Sequence, residues 1–296
     1  MQYPLYEIAK DRFPGALAEI PDKPKMLYVR GALPPAEHKL LAVVGSRKYS
    51  TYGKQAVELV LGGLSGYPIT IISGLAIGID CLAHRAALDH TLNTIAVPGS
   101  GLAESVLYPA QNRALAHEIL ASGGGLISEF EPDFRATDWS FPQRNRIMAG
   151  MADAVLVIEA TLKSGTLITS RLATDYNRDV LTVPGSIFSQ NSDGPHMLIK
   201  LGATPVTSAE DVIFALGLKP HESPALEDMN LTPQEKNLLE LLSSPRSQDE
   251  LIRHLALSHS LAAPEANALI MTLELQGHIS KSNGTFIRRR TAPSTY

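Results

Sequence analysis

Several common functional signatures are missing from this 296-residue chain, and each absence excludes something. Cys81 is the only cysteine, so there is no intrachain disulfide and no CxxC zinc or redox pair. A reducing, cytoplasmic setting is expected. No run reaches the roughly 18 apolar residues that span a bilayer. The start, Met1-Gln2-Tyr3-Pro4-Leu5-Tyr6-Glu7, lacks the basic and apolar regions of a secretory signal. No membrane association is expected. Positive charge is not in excess: 26 basic residues face 30 acidic ones, a formal net of −4. That balance argues against holding nucleic acid by bulk charge, although phosphate is read locally. There is no GxSxG nucleophile elbow, no HExxH and no Walker A spacing. The dinucleotide fingerprint GxGxxG is absent, and Ser73-Gly74 rather than an acidic residue closes the second strand, so no nicotinamide or flavin cofactor is expected. Glu129, Glu131, Asp133 and Asp138 have no spacing that specifies a catalytic pair. No catalytic residue, metal or cofactor is expected.

What is present is enough apolar residue, 44%, for a sizeable core. Residues 1–39 are rich in proline and form a lead-in that packs on the next domain, with Met26 to Arg30 as a short edge strand. From about Leu40, apolar runs end in glycine or serine and alternate with helical stretches. That alternation indicates a doubly wound, Rossmann-like parallel sheet over residues 40–217. Residues 218–229 read as a linker. Residues 230–290 contain two capping boxes, Thr232–Glu235 and Ser247–Glu250, a third helix opened by Pro264, and a hairpin signal at Asn283-Gly284. Three helices and a hairpin predict a winged-helix domain, with 291–296 as a tail.

Open α/β sheets bind ligands beyond the C-terminal ends of their strands. After the first run stands Gly45-Ser46-Arg47, where small residues let backbone approach an anion and Arg47 can fork onto phosphate oxygens. The alternative is that Gly45 only makes the turn. After the second, Asp80 and His84 are four apart on one helix face: a metal or acid–base pair, or hydrogen bonds that fix the helix. After the third, Tyr108 offers a stacking face or packing, and Asn112 and Arg113 offer donors. Arg144-Asn145-Arg146 at a helix start is either a phosphate clamp or a set of partners for carboxylates such as Glu129 and Glu159. Lys163, Ser164, Gly165 and Thr166 precede another helix and present a second phosphate cradle through backbone N–H groups. In the C-terminal module, the third helix carries Glu265 and Glu274 and no lysine or arginine. A duplex reader would present cations or amides there, so a protein-contact role fits better.

The ordered string of strand ends resembles the DNA-processing protein A (DprA/Smf) family. The residues that carry it begin with Gly45-Ser46-Arg47 and Ser73-Gly74-Leu75-Ala76-x-Gly78-Ile79-Asp80-x-x-Ala83-His84. They continue with Tyr108-Pro109-x-x-Asn112, Phe141-Pro142-x-Arg144-Asn145-Arg146, Ser164-Gly165-Thr166-Leu167-Ile168-Thr169 and Pro184-Gly185-Ser186. The resemblance covers roughly residues 20 to 215. It implies a non-enzymatic, homodimeric single-stranded DNA binder that protects incoming strands in natural transformation. It also implies loading of RecA recombinase, including onto DNA coated by single-strand-binding protein. It assigns the phosphate pocket to Gly45 to Arg47, Arg144 to Arg146 and Ser164 to Thr166. His196, Met197, Leu198 and Ile199 become dimer-interface candidates. Pro98 and Ala103 depart from the family's leucine and aspartate. Two other readings compete. One is a phosphoribohydrolase of the lysine-decarboxylase-like group, but Thr169 stands where that group has its glutamate. The other is a winged-helix transcription regulator.

Overall fold

The computed structural model describes residues 3–220, 231–242, 246–276, 278–282 and 285–288. Two units divide at Pro220 and His221. In the first, the strands are β1 Leu5–Ala9, β2 Met26–Gly31, β3 Lys39–Val44, β4 Ile69–Ser73, β5 Asn93–Ala96, β6 Gly125–Ser128, β7 Ala154–Val157, β8 Asp179–Thr182 and β9 Thr204–Pro205. The helices are α1 Thr51–Gly62, α2 Ile79–Asp89, α3 Arg113–Ala121, α4 Ser140–Met151, α5 Thr166–Asp175, α6 Asp193–Lys200 and α7 Ala209–Ala215. The strands order as β1-β2-β6-β5-β4-β3-β7-β8-β9. All pairings from β6 to β9 are parallel. This is the Rossmann-like α/β architecture that the alternating pattern predicts. The inner strands are continuously apolar because helices cover both faces. On one face α1, α2 and α7 pack on Leu41, Val43, Ile69 and Leu156. On the other, α4, α5 and α6 pack on Ala42, Val44, Val155 and Val157 together with Leu17 and Ile20 of the lead-in.

One expectation is corrected. Residues Met26 to Arg30 do not form an edge strand. β2 lies between β1 and β6, antiparallel to both, with Val29 opposite Tyr6 on one side and Ile127 on the other. Pro24 and Pro34 flank β2 without interrupting it, so every ladder N–H it needs is present. The lead-in therefore extends the sheet as well as packing on it.

The second unit comprises α8 Pro233–Leu241, β10 Arg246–Ser247, α9 Gln248–His259, α10 Ala263–Leu275, β11 Ile279–Ser282 and β12 Thr285–Arg288. Both capping boxes form: the Glu235 carboxylate accepts from Thr232 N at 2.7 Å and that of Glu250 from Ser247 N at 2.8 Å. Leu238, Leu251, Leu255, Ile270, Leu273 and Phe286 make its core. β11 and β12 pair antiparallel, as a wing does. Asn283-Gly284, most of the linker and the tail lie outside the described residues. The exposed surface of α10 is mixed: Met271 and Leu275 are 66% and 86% exposed beside the exposed Glu265, Thr272 and Glu274.

Strand β3 is the centre from which the sheet is wound in both directions, and Leu41 on it is fully buried. Leu41→Ala is expected to lower unfolding free energy by about 2–5 kcal/mol in chemical denaturation.

Candidate nucleic-acid interface

The ends of β3, β4 and β5 open into a cleft of about 370 Å³, lined among others by Arg47, Gly74, Ile77, Tyr108, Phe141 and Arg144. Its rim begins in the loop after β3. Ser46 N donates to Glu159 O at 2.7 Å, and Ser46 Oγ accepts from Lys48 N at 3.0 Å. Gly78, at φ +93°, brings the start of α2 against this loop; a β-carbon there would stand 2.6 Å from Arg47 Cα. Only glycine combines that backbone angle with that approach. Below, the buried Glu159 carboxylate accepts from Ser50 N at 2.9 Å, Ser50 Oγ at 2.5 Å and Asn191 Nδ2 at 3.3 Å. The loop is thus fixed from within, while Arg47 and Lys48 project into solvent. The Arg47 guanidinium lies over the Phe141 ring at 5.4 Å, and Phe141 meets Tyr108 at 5.6 Å with a 45° tilt. Tyr108 is 48% exposed.

The floor holds two buried opposite charges, Arg144 and Asp80, which approach each other across Gly74 without a direct salt bridge. Arg144 donates to Gly74 O at 2.5 Å, to Val97 O, and through Nε to Asn145 Oδ1 at 3.1 Å. Asp80 Oδ2 accepts from Gly74 N at 3.1 Å and lies beside the same guanidinium. Burial pushes the Asp80 carboxyl up, and the Arg144 charge pulls it back down. Burial lowers Arg144 to about 10, opposed by Asp80. A β-carbon on Gly74 would collide with both groups. The i, i+4 pair read from the sequence is split. Asp80 turns to Gly74 N, on the side of the Arg144 charge, while His84 Nδ1 meets Thr94 Oγ1 at 2.7 Å inside the core. Burial lowers the imidazole to about 3.

Several predicted contacts do not reach the cleft. Arg146 pairs with Glu129 and lies 3.9 Å from Asp22. Arg113 spends its donors on Leu107 O at 3.2 Å and Ser105 O at 3.1 Å. Asn112 Nδ2 donates to Leu75 O at 2.8 Å and holds that residue in its left-handed conformation, φ 59°. Asn145 is buried and its amide reaches Gly165 O at 3.5 Å. Gly45 is a packing residue, since a side chain would strike Ile79. The second cradle is partly closed: Thr166 N donates to Ser164 Oγ, Leu167 N to Ser164 O and Ile168 N to Gly165 O. Lys163 is exposed, and residues 163–166 do not line the cleft. Of the dimer candidates, Leu198 faces the core and His196 Nε2 meets Gly185 O at 3.1 Å; Met197 packs partly on the same core, and Ile199 is half-buried.

The family described as DNA recombination-mediator protein A matches residues 5–217, and the DprA winged helix domain matches residues 219–285. The chain belongs to this DprA/Smf family. It is 38% identical over 285 residues to Protein Smf of Escherichia coli, covering 95% of this chain and 76% of that one. The structure of DNA processing protein A from Streptococcus pneumoniae superposes with a TM-score of 0.66 at 42% identity, over 74% of this chain and 75% of that one. That of Helicobacter pylori, reported for its single-stranded DNA binding mode, gives 0.63 at 29% identity over 73% and 98%. The family assignment makes the role one in DNA processing and recombination mediation.

Within this DprA/Smf-type cleft, Phe141 is the residue that sequence reasoning left without a role. It stands in the Phe-Pro-x-Arg-Asn-Arg run, and its position before the buried Arg144 was the available signal. The Asp80–Arg144 pair had none, because 63 residues intervene. Arg144→Ala strands a buried carboxylate and is expected to cost about 3–5 kcal/mol of stability. Asp80→Asn with Arg144→Met should cost clearly less than the two single changes added together, as read by denaturant unfolding. The unfolded chain takes up a proton at His84 before the folded one, so His84 contributes stability that is lost as pH falls from about 6.5 toward 3. Each pH unit in that window is worth about 1.4 kcal/mol. Unfolding curves of His84→Gln should be flatter there than those of the parent chain.

Proposed function

We propose that this chain is a single-stranded DNA-binding recombination mediator that shields the strand and delivers it to a RecA-type recombinase in the cytoplasm. It holds the strand and makes or breaks no covalent bond. The carrying observation is the exposed Arg47 guanidinium poised over the Phe141–Tyr108 aromatic pair at the strand ends. A guanidinium takes phosphate oxygens, and aromatic faces take any unpaired base. Bases of a duplex are already stacked inside it, so the pair selects single strands. The single-stranded DNA binding mode of the Helicobacter pylori relative supports the same reading.

The cleft contact therefore rests on Arg47, with Lys48 and Lys163 as outlying cations and the Arg144–Asp80 pair as the floor. A homodimer contact would fall on Ile187 and Phe188, 79% and 93% exposed in the segment between β8 and α6, rather than on the buried Leu198. The winged-helix unit, whose α10 exposes Met271 and Leu275 beside Glu265 and Glu274 and no lysine or arginine, serves a protein contact.

Gel-shift titration tests the assignment. Single strands should bind more tightly than duplex, with affinity falling as salt rises. Arg47→Ala should lose about 1–3 kcal/mol of binding. Wild-type affinity in that variant would remove the cleft from the interface. Deleting residues 218–296 should leave most of the single-strand affinity.

A further inference from the structure

Trp139 is the only tryptophan in the sequence, and it stands 55% exposed at the start of α4. Its indole is not loose. It packs edge-on against Phe134 at 5.5 Å and 61° and against Phe130 at 5.7 Å and 78°. Those two rings are themselves stacked at 4.5 Å and 19°, and Phe130 is buried. A ring fixed in this way has little freedom left to lose when a flat ligand settles on it. Covering Phe130 and Phe134 requires only an apolar side chain; an indole adds a large π-face turned toward solvent.

The shelf is joined to the cleft. Between Trp139 and Phe141, Ser140 Oγ donates to Gly99 O at 2.6 Å, and Gly99 lines the cleft. Phe134 O accepts from Gly101 N at 2.9 Å, so the loop carrying the shelf is tied to the loop after β5. Residues two apart at a helix start point to opposite sides, since each residue turns the helix by about 100°. A strand leaving Phe141 thus crosses the first turn of α4 to arrive at Trp139.

Local charge restricts what can bind. Asp133 and Asp138 are exposed in this loop beside one exposed cation, Arg135, and Glu131 accepts from the Tyr28 hydroxyl at 2.7 Å. A phosphate clamp is disfavoured there; an uncharged ring face is not. We infer that Trp139 is a second base-stacking platform, which takes a nucleobase of the strand beyond the nucleotides held at the Arg47–Phe141 cleft. This rests on the single-stranded DNA reading of that cleft.

The lone tryptophan reports on itself. Titration of the full chain with oligothymidylates should quench its fluorescence for lengths of about a dozen nucleotides, and not for the shortest ones that fill only the cleft. Trp139→Leu, which keeps apolar cover on Phe130 and Phe134, should bind the long oligomers about 5- to 100-fold more weakly. It should bind the short ones as the parent does. Trp139→Phe should recover part of the loss. The salt dependence should be unchanged in Trp139→Leu and reduced in Arg47→Ala, because only the arginine displaces counterions from phosphate. Unquenched fluorescence during Arg47-dependent binding, or parental affinity of Trp139→Leu at every length, overturns the shelf and leaves the cleft standing. A parent chain that binds no single strand overturns both.

Discussion

Arg144 and Asp80 bring opposite charges almost out of contact with water, at the point where the ends of β4 and β5 come together. Arg144 comes from α4, more than sixty residues from Asp80 in the sequence, and its guanidinium gathers the Gly74 and Val97 carbonyls. Asp80 gathers the Gly74 N–H. By bonding both carbonyls, Arg144 locks the two strand ends together, and the nearby Asp80 charge offsets part of the cost of burying the guanidinium. The cleft loops after β4 and β5 depart from that lock. Gly74 is a glycine because a side chain would occupy the space in which the pair meets.

The lock also divides the arginines by task. Arg144 is spent on carbonyls and Asp80; Arg146 is spent on Glu129; Arg113 is spent on its own loop. Arg47, exposed and braced over Phe141, is left to meet a ligand. This accounts for a nucleic-acid interface on a chain with a net charge of −4. In the proposed interface, affinity is concentrated at a cation beside aromatic surface, while the acidic remainder repels unspecific polyanion contact. Stacking on aromatic faces such as those of Tyr108 and Phe141 does not depend on base sequence, in keeping with the proposed binding of single strands.

Much of the fold was legible because burial on both faces leaves a plain sequence record. The alternating apolar runs from about Leu40 onward became the inner strands β3, β4, β5 and β7. Thr232 and Ser247 became N-caps because their partners lie three residues away, within reach of local pattern. Strand β2 was placed at the wrong depth because pairing with β1, about twenty residues earlier, carries no local signature. The cleft was half legible. Its strand ends could be named, but an arginine that binds phosphate and one that binds carbonyls read alike in a motif.

By itself, the sequence determined the alternation of strands and helices, the two-unit organisation, the family and the set of residues gathered at the strand ends. Hydrophobic period, capping and glycine placement are local constraints, so they are written locally. The tertiary structure alone decided which of those residues face a ligand. That choice depends on desolvation and on partners far away in the chain: the Gly74 and Val97 carbonyls claim Arg144, Glu129 claims Arg146, Leu75 claims Asn112, and the Arg47 side chain stays exposed above Phe141.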